Sequence, residues 1–244
     1  MDLPDWLRDA QRICVLTGAG ISTDSGIPDY RGPQGVWTRD PDAEKLVTLS
    51  YYLRDPEIRR RSWLLRRELA VADVRPNAGH AALADLQAQG RLRALLTQNI
   101  DGLHQAAGST GVVELHGSVH EVLCTRCGTR LPTADVLARV DAGEPDPACP
   151  VCGGVLKTAT VYFGEALDAE VIDAAVQAAA DCDVFLAVGT SLGVPPAAGL
   201  VDVAAAAGAR VVVVNAEPTP YDGLADLVVR EPIGEALPVL LAAG

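Results

Sequence analysis

Four short apolar runs stand out along the chain, and a turn or a polar loop follows each of them. They lie at residues 12–17, 92–97, 183–188 and 211–214. Their nearly continuous aliphatic content is typical of parallel strands that are covered on both faces. Three alanine-rich stretches with helical character lie between the runs, at residues 78–89, 168–180 and 196–207. Strands that alternate with helices of this length predict an α/β fold with a doubly wound parallel sheet.

Two segments interrupt this alternation. Residues 40–70 are helical and rich in arginine, and the simplest interpretation is a solvated helix face beside a core stripe. Residues 120–158 carry four of the six cysteines and little apolar periodicity, so we expect them to need something other than a hydrophobic core. We therefore predict a smaller zinc-ribbon module (120–158) and a helical insert (40–70) within a larger domain. That discontinuous Rossmann-like domain would comprise residues 1–39, 71–119 and 159–244.

Composition narrows the class of protein. The chain has 244 residues, of which 49% are apolar and 21% charged, which is enough for a sizeable core and excludes wholesale disorder. Its net charge of −12 argues against nonspecific binding to nucleic acid but suits a lysine-rich partner. No apolar run is long enough for a membrane span, and the N-terminus lacks the pattern of a signal peptide. We therefore expect no membrane partner and a cytoplasmic protein with reduced thiols.

Four cysteines form two C-x-x-C pairs, Cys124/Cys127 and Cys149/Cys152. The two-residue gap lets both thiolates of a pair reach one tetrahedral ion, and four sulfurs leave no position for substrate. This spacing predicts one structural Zn²⁺. A redox pair and a nucleic-acid-binding zinc module are the alternatives, and the acidic chain argues against the second. Cys14 and Cys182 lie in or beside strands and are predicted to be core residues.

A glycine loop follows the first predicted strand. Gly18-Ala19-Gly20 supplies the first two glycines of a dinucleotide fingerprint, but Thr23 stands where the third glycine would be. The two glycines permit a sharp turn and a close approach of backbone N–H groups to a pyrophosphate. Alone this loop is a weak signal, which an ordinary structural turn would also explain.

The loop is the first of a series of motifs. They read TGAGISTDSGIPDYRG at 17–32, TQNIDGLH at 97–104, LHGS at 115–118, the four cysteines, VYFGE at 161–165, GTSL at 189–192 and VNAE at 214–217. In this order they closely resemble the sirtuin family of NAD-dependent protein lysine deacylases, in its bacterial form, from about residue 10 to about residue 240.

The resemblance implies a role for each matching residue. His116 would be the catalytic base, with Asn99 and Asp101 as further catalytic residues. The NAD-binding residues would be Gly18, Ala19, Gly20, Thr23, Asp29, Tyr30, Arg31, Gln98, Asn99, Ile100, Asp101, Gly189, Thr190, Ser191, Asn215, Ala216, Glu217 and Ile233. Val161, Phe163, Gly164 and Val194 would bind the acyl-lysine peptide.

The implied reaction consumes NAD and releases nicotinamide, free lysine and 2′-O-acetyl-ADP-ribose. A ribose hydroxyl must lose a proton, and an imidazole with a pKa near 6.5 suits that step. From the residues alone His80, His104, His116 and His120 compete for the role. An ADP-ribosyltransferase would use the same cofactor site. An oxidoreductase is disfavoured because the third glycine and an acidic ribose ligand on the second strand are not evident.

Two positions depart from the family pattern. Members that remove succinyl or malonyl groups carry Tyr-x-x-Arg in the helical segment, where this chain has Trp63-x-x-Arg66. Arg66 can bind a carboxylate, but Trp63 offers no hydroxyl, so we expect acetyl to be preferred, with desuccinylase or longer-acyl activity as the alternative. Lys157-Thr158 replaces a stretch that often reads Arg-Pro or Lys-Pro, and the sequence does not reveal the effect.

Overall fold

The structure, a computed structural model, describes residues 4–33, 35–70 and 74–242. Its strands are β1 (Ile13–Thr17), β2 (Leu92–Thr97), β3 (Val113–Glu114), β4 (Gly117–Cys124), β5 (Arg130–Pro132), β6 (Leu156–Thr160), β7 (Val184–Val188), β8 (Arg210–Val214) and β9 (Leu227–Val229). Its α-helices are α1 (Asp5–Arg8), α2 (Val36–Arg39), α3 (Leu49–Arg54), α4 (Pro56–Ala70), α5 (Ala78–Ala88), α6 (Leu103–Ala106), α7 (Thr133–Asp141), α8 (Ala169–Ala180), α9 (Leu200–Ala206) and α10 (Ile233–Leu240). Three 3₁₀ segments add Ala19–Ser25, Pro41–Val47 and Ala197–Gly199.

The main sheet has six strands in the order β3-β2-β1-β7-β8-β9. All of its pairings are parallel, so the prediction of a doubly wound parallel sheet is confirmed. From β1 the chain builds outward to β2 and β3 on one side, and from β7 to β8 and β9 on the other. The order therefore reverses between β1 and β7, and in such sheets ligands bind at the carboxyl ends of the two strands beside the reversal.

The sheet is covered on both faces by helices. Every residue of β1 is buried, and alternate side chains enter two different core clusters. Ile13 and Val15 pack with apolar residues of α5 and α10, whereas Cys14 and Leu16 pack with those of α8 and α9. This burial on both sides explains why the strand reads as a continuous apolar run rather than an alternating one.

Several details differ from the sequence-based prediction. The stretch at 196–207 is not one helix, because a 3₁₀ turn at Ala197–Gly199 precedes α9. The edge strands β3 and β9 and the helix α10 were not predicted. The two edge strands have two and three residues, which is too short for an apolar period to be visible.

The cysteine-rich segment forms a small antiparallel sheet in the order β5-β4-β6, with α7 packed on it. The expectation that it lacks a hydrophobic core was wrong. Val122, Val136, Val140 and Leu156 form one with Trp63 of α4, whose side chain is 1% exposed. The sequence of residues 120–158 did not indicate this core, because its largest side chain, that of Trp63, comes from a different part of the chain.

The arginine-rich insert is helical, as expected, and its arginines fall into two groups. Arg60 and Arg61 are exposed, which agrees with a solvated face. Arg59 instead forms an ion pair of 2.8 Å with Asp146 of the cysteine-rich segment. The domain boundaries given above stay predictions, and residues 1–3, 34, 71–73 and 243–244 within them lie outside the described residues. None of the helices in the described ranges is long and apolar enough to cross a membrane.

Candidate active site

A cavity of about 600 Å³ opens at the carboxyl ends of the central strands of the main sheet. The loops that follow β1, β2, β7 and β8 all contribute to its lining. Its place is the point where the strand order reverses, and its size lies within the range of small-molecule sites, about 300–1,000 Å³. Because parallel strands end at one edge of the sheet, four motifs that are distant in sequence meet here.

Most of the predicted site residues line this cavity. They are Ala19, Gly20, Thr23, Asp29, Tyr30, Arg31, Gln98, Asn99, Ile100, His116, Val161, Phe163, Gly164, Gly189, Thr190, Ser191, Val194, Asn215, Ala216, Glu217 and Ile233. Gly18 and Asp101 are not among the lining residues, and both contact residues of the loops beside the cavity.

The glycines of the first loop serve the contact between two loops. A Cβ atom on Gly18 would lie 2.7 Å from the carbonyl oxygen of Gly189, and one on Gly20 would lie 2.7 Å from the Gly189 Cα atom. The Gly20 N–H donates to that same carbonyl at 2.8 Å, so it is not free for a phosphate. The chain then enters a 3₁₀ helix rather than an α-helix. The two glycines therefore bring the loops after β1 and β7 together and so shape the floor of the cavity.

A polar network lies beside this floor. The Asn99 side-chain amide donates to the Gly18 carbonyl at 3.1 Å and to the Ser22 hydroxyl at 3.2 Å. The Ser22 hydroxyl donates to Asp101 Oδ2 at 2.7 Å, and Asp101 Oδ1 accepts the Leu103 N–H. Ser22 thus joins the two residues expected to act in catalysis, and it was not predicted. Asp101 is held by protein donors at both of its oxygens.

Gln98 lines the cavity and carries a side-chain donor without a partner. Its amide oxygen accepts the Thr190 hydroxyl at 3.3 Å, which links the loops after β2 and β7. Its amide nitrogen is buried and lacks a hydrogen-bond partner among the described residues. A buried donor left unpaired costs about 1–3 kcal/mol, so a ligand hydroxyl in the cavity would satisfy it.

His116 stands on the wall of the cavity with one ring nitrogen engaged. Its Nδ1 atom lies 3.0 Å from the backbone oxygen of Gln98. Because a carbonyl oxygen only accepts, the hydrogen bond places the proton on Nδ1 and leaves Nε2 with its lone pair. Burial lowers the pKa of His116 below its usual 6.5, and the bond to Gln98 opposes this in part. The imidazole is therefore neutral at neutral pH and can accept a proton.

The other three histidines lie elsewhere. His104 Nε2 is 2.9 Å from the Thr17 hydroxyl, and the His80 ring lies tilted against the His104 ring with a centroid distance of 4.9 Å. Both are fully buried, and burial, with a contribution from His80, lowers the pKa of His104 to about 3. His120 is exposed. None of these three lines the cavity described above.

The loop after β8 is held by an arginine that was not predicted. Arg230 donates to the backbone oxygens of Asn215 and Glu217 at 2.6 and 2.9 Å, and it forms an ion pair with Asp222. The Asn215 side chain donates to the Glu217 carbonyl at 2.8 Å. This side of the cavity is therefore built by backbone groups that charged side chains hold in place.

The segment expected to pair with a peptide crosses the opposite wall. The Val161 N–H donates to the His116 carbonyl at 2.8 Å, and the Phe163 N–H donates to the Val47 carbonyl at 2.8 Å. Leu49 donates back to the Phe163 carbonyl at 3.0 Å. The segment is thus anchored both to His116 and to the helical insert.

An aromatic row joins this segment to the loop that carries Asp29, Tyr30 and Arg31. Trp37 lies between Tyr30 and Phe163, with centroid distances of 4.8 and 5.3 Å, and the Arg31 guanidinium lies 4.5 Å from its ring centre. Trp37 was not predicted, although the loop motif that precedes it was. The further lining residues missed from the sequence are Asp24, Gly32, Pro33, Val47, Thr160, Tyr162, Glu165, Leu167, Pro195, Glu231 and Pro232. Most are immediate neighbours of the motifs, which is the signal that could have found them.

Trp63 and Arg66 point to different environments. Trp63 is buried in the core of the small sheet and is not among the residues that line the cavity. The physical reason is its size and apolarity, since the indole fills the space between α4 and the small sheet. Arg66, one turn further along α4, lines the cavity.

The four cysteines of the C-x-x-C pairs come together. All their sulfur atoms lie within 4.8 Å of one another, with Sγ–Sγ distances of 3.5 Å for Cys124–Cys152 and 3.7 Å for Cys127–Cys149. A tetrahedral ion with Zn–S bonds of about 2.3 Å would separate its sulfurs by about 3.8 Å. The donor set and its spacing therefore fit one zinc ion.

Known proteins are similar to this chain in sequence. The sequence profile described as the Sir2 family matches residues 18–196. A Streptomyces coelicolor protein named NAD-dependent protein deacetylase 2 is 64% identical over 231 residues, which cover 94% of this chain and 96% of that protein.

Solved structures agree with the sequence comparison. One, from work on the mechanism and regulation of Sir2 enzymes, has a TM-score of 0.89 and 39% identity and covers 97% of this chain and 94% of its own. A complex of Sir2 with a p53 peptide and NAD⁺ has a TM-score of 0.86 and 34% identity and covers 97% and 95%.

Proposed function

This chain belongs to the Sir2 family, and from that membership we propose that it is an NAD-dependent protein lysine deacetylase. It binds an acetyl-lysine peptide and NAD and, with the consumption of one water molecule, releases nicotinamide, lysine and 2′-O-acetyl-ADP-ribose. The observation that carries the proposal is the position of His116. A neutral imidazole stands in one cavity with the cofactor loops of the main sheet on one side and the Val161–Gly164 segment on the other.

A ribose hydroxyl must lose a proton once nicotinamide has left, and His116 would be the base for that step. With Nδ1 bound to the Gln98 carbonyl, Nε2 is the atom that accepts the proton of a ribose hydroxyl. Gln98 lines the cavity with an amide nitrogen that lacks a partner, which supports a role for it in holding that ribose. When bound, NAD supplies the ADP-ribosyl group that takes the acetyl group after its bond to nicotinamide is broken.

The remaining residues orient the substrates and exclude water. Asn99 offers a neutral amide whose position is set by Gly18 and Ser22, so it orients a ribose without adding charge. Asp101, held by Ser22, sets the loop that receives nicotinamide. The aromatic row of Tyr30, Trp37 and Phe163 shields the reaction from water, because a cationic sugar centre would otherwise be hydrolysed.

The zinc ion would be held by Cys124, Cys127, Cys149 and Cys152 and would be structural. Four thiolates complete its coordination, so it has no open position for a reactant. Its function would be to close the two turns at the edge of the small sheet. Since α4 packs on this sheet through Trp63 and reaches the cavity through Arg66, we propose that zinc also maintains the cavity indirectly.

The location and division of the chain are part of the proposal. Zinc-binding thiolates persist where thiols stay reduced, which supports the cytoplasm. The small sheet and the helical insert would form one unit beside the Rossmann-like unit, in line with the ion pair between Arg59 and Asp146. Limited proteolysis of the native protein would test the predicted boundaries.

A second candidate activity rests on Arg66. Its guanidinium lines the cavity, so an acyl group that ends in a carboxylate could pair with it. A succinyl-lysine peptide is therefore the proper competitor in any assay.

The test is mass spectrometry of matched acetyl-lysine and succinyl-lysine peptides incubated with the protein and NAD. We expect nicotinamide and O-acetyl-ADP-ribose in equal amounts, with the acetyl peptide consumed faster. His116→Ala should abolish turnover, whereas His120→Ala, which removes an exposed imidazole, should retain it. Faster loss of succinyl would make Arg66 the determinant of acyl choice. Nicotinamide release with both acyl groups intact would instead indicate ADP-ribosyl transfer.

A further inference from the structure

One of the two lysines of the chain is buried beneath the peptide-binding wall. Lys157, in β6, is only 3% exposed. Its ammonium donates to the backbone oxygens of Thr160 and Thr158 at 2.7 and 3.2 Å and lies 4.4 Å from the ring centre of Tyr162. Burying an ammonium group costs free energy unless it is fully paired. These contacts therefore fix the position of the Lys157 ammonium.

The partner of this ammonium is Glu165. The Lys157 Nζ atom lies 2.9 Å from Glu165 Oε2, and the same oxygen accepts the Tyr162 N–H at 2.7 Å. The Glu165 N–H in turn donates to the Tyr162 carbonyl at 2.9 Å. Residues 162–165 are therefore closed into a turn by one backbone bond and one side-chain bond, and the lysine holds the carboxylate.

Both ends of the peptide-binding segment depend on this pair. Lys157 fixes the carbonyl of Thr160 at its start, and Glu165 fixes the N–H of Tyr162 and ends the segment. Val161, Phe163 and Gly164 lie between these points and line the cavity. Backbone hydrogen bonds to His116 and Val47 hold Val161 and Phe163. The buried ion pair holds the same segment at its two ends.

We propose that Lys157 and Glu165 are a positioning pair that sets the backbone of residues 160–165 for the acyl-lysine peptide. The proposal rests on the deacetylase function proposed above and deepens it. Lys157 is buried and is not among the residues that line the cavity, whereas the carboxylate that it holds, Glu165, is among them. Its effect should therefore appear in peptide binding and leave NAD binding alone.

The cluster offers a matched control. The Thr158 hydroxyl lies 3.1 Å from the Thr160 hydroxyl and 3.3 Å from that of Tyr162, and Thr158 is as deeply buried as Lys157. Thr158→Val keeps the volume and leaves the ion pair intact. Thr158→Val therefore measures how a change in the same buried cluster affects peptide binding when the Lys157–Glu165 pair is intact.

The experiment compares Lys157→Met, Lys157→Arg, Glu165→Gln and Thr158→Val in the full chain. For each variant we would measure the Kd of a fluorescent acetyl-lysine peptide, the KM values for peptide and NAD, and the thermal midpoint. We expect the peptide Kd and KM to rise at least tenfold in Lys157→Met and Glu165→Gln, with the KM for NAD within twofold. Lys157→Arg, which keeps the charge, should recover most of the loss, and Thr158→Val should resemble the wild type.

The outcomes separate this proposal from the function it rests on. If the wild type deacetylates the peptide but both pair variants bind it within twofold, the positioning pair is wrong and the function stands. An equal rise in the KM values for peptide and NAD would also overturn the pair, since it indicates general damage. If Lys157→Met does not fold, Glu165→Gln, which is isosteric and partly exposed, decides the matter. A wild type that neither binds nor turns over acetyl peptide removes both proposals.

Discussion

Replacing Gly20 by alanine should damage the contact between the two loops that form the cavity floor. The backbone of Gly20 lies outside the left-handed region, so alanine can adopt it and the effect comes from the new methyl group. That Cβ atom would lie 2.7 Å from the Gly189 Cα atom and 2.9 Å from the Gly189 oxygen. Ordinary contact begins at 3.4 Å, so the two backbones must separate by about 0.7 Å, which is 3.4 minus 2.7.

The cost follows from packing and from one hydrogen bond. Overpacking of this kind costs about 1–3 kcal/mol, and the stretched bond from the Gly20 N–H to Gly189 adds about 1 kcal/mol. We therefore expect Gly20→Ala to lower the free energy of unfolding by about 2–4 kcal/mol. Because both loops line the NAD site, we expect the Kd for NAD to rise at least tenfold.

The matched control is Gly199→Ala. A Cβ atom there meets nothing within 4 Å, and Gly199 already has helical angles of φ −66° and ψ −10°. Its replacement should be neutral or stabilise the fold by about 0.4–1 kcal/mol. Urea unfolding and calorimetric titration with NAD measure both quantities. If Gly20→Ala matches Gly199→Ala in stability and in NAD affinity, the close-approach argument is refuted.

Three further predictions follow from the site. Burial lowers the pKa of His116, so kcat/KM should fall with decreasing pH at a midpoint below 6.5; an acid limb centred at or above 7 would contradict the neutral base. Cys124→Ala should lose most of its zinc and unfold the small sheet, as measured by metal analysis and circular dichroism; a soluble, zinc-replete variant would refute the four-thiolate site. Trp37→Ala should release more nicotinamide than deacetylated peptide, because the aromatic row no longer excludes water; Trp37→Phe should keep the two equal.

The main sheet could be predicted because its strands are buried on both faces. Each core strand is a continuous apolar run, as β1 and β7 show with every residue buried. The location of the cavity follows from the same feature. Once the strands are parallel, the polar motifs that follow them must converge at one edge, whatever their separation along the chain.

The small sheet could not be predicted in the same way. Its core depends on Trp63, which precedes β4 by 54 residues (117 − 63) and β6 by 93 (156 − 63), and the turns are set by cysteines rather than by apolar spacing. The same distance hides the position of Trp63 in that core. A pattern of Trp-x-x-Arg places two side chains near each other on a helix, but it does not reveal that the indole has a core of its own to fill.

The position of His116, the proposed base, depends on a strand pairing that the apolar pattern of the sequence does not show. Three histidines are withdrawn from solvent, and burial lowers the pKa of each of them. His116 differs because β3, a strand of only two residues, pairs Glu114 with Thr97 of β2 and so brings the ring beside the Gln98 carbonyl. That carbonyl keeps the proton on Nδ1, and Nε2 is the unprotonated nitrogen of a ring that lines the cavity. The pairing of this short edge strand thus brings the proposed base beside that carbonyl, and two residues are too few for an apolar pattern that would predict it.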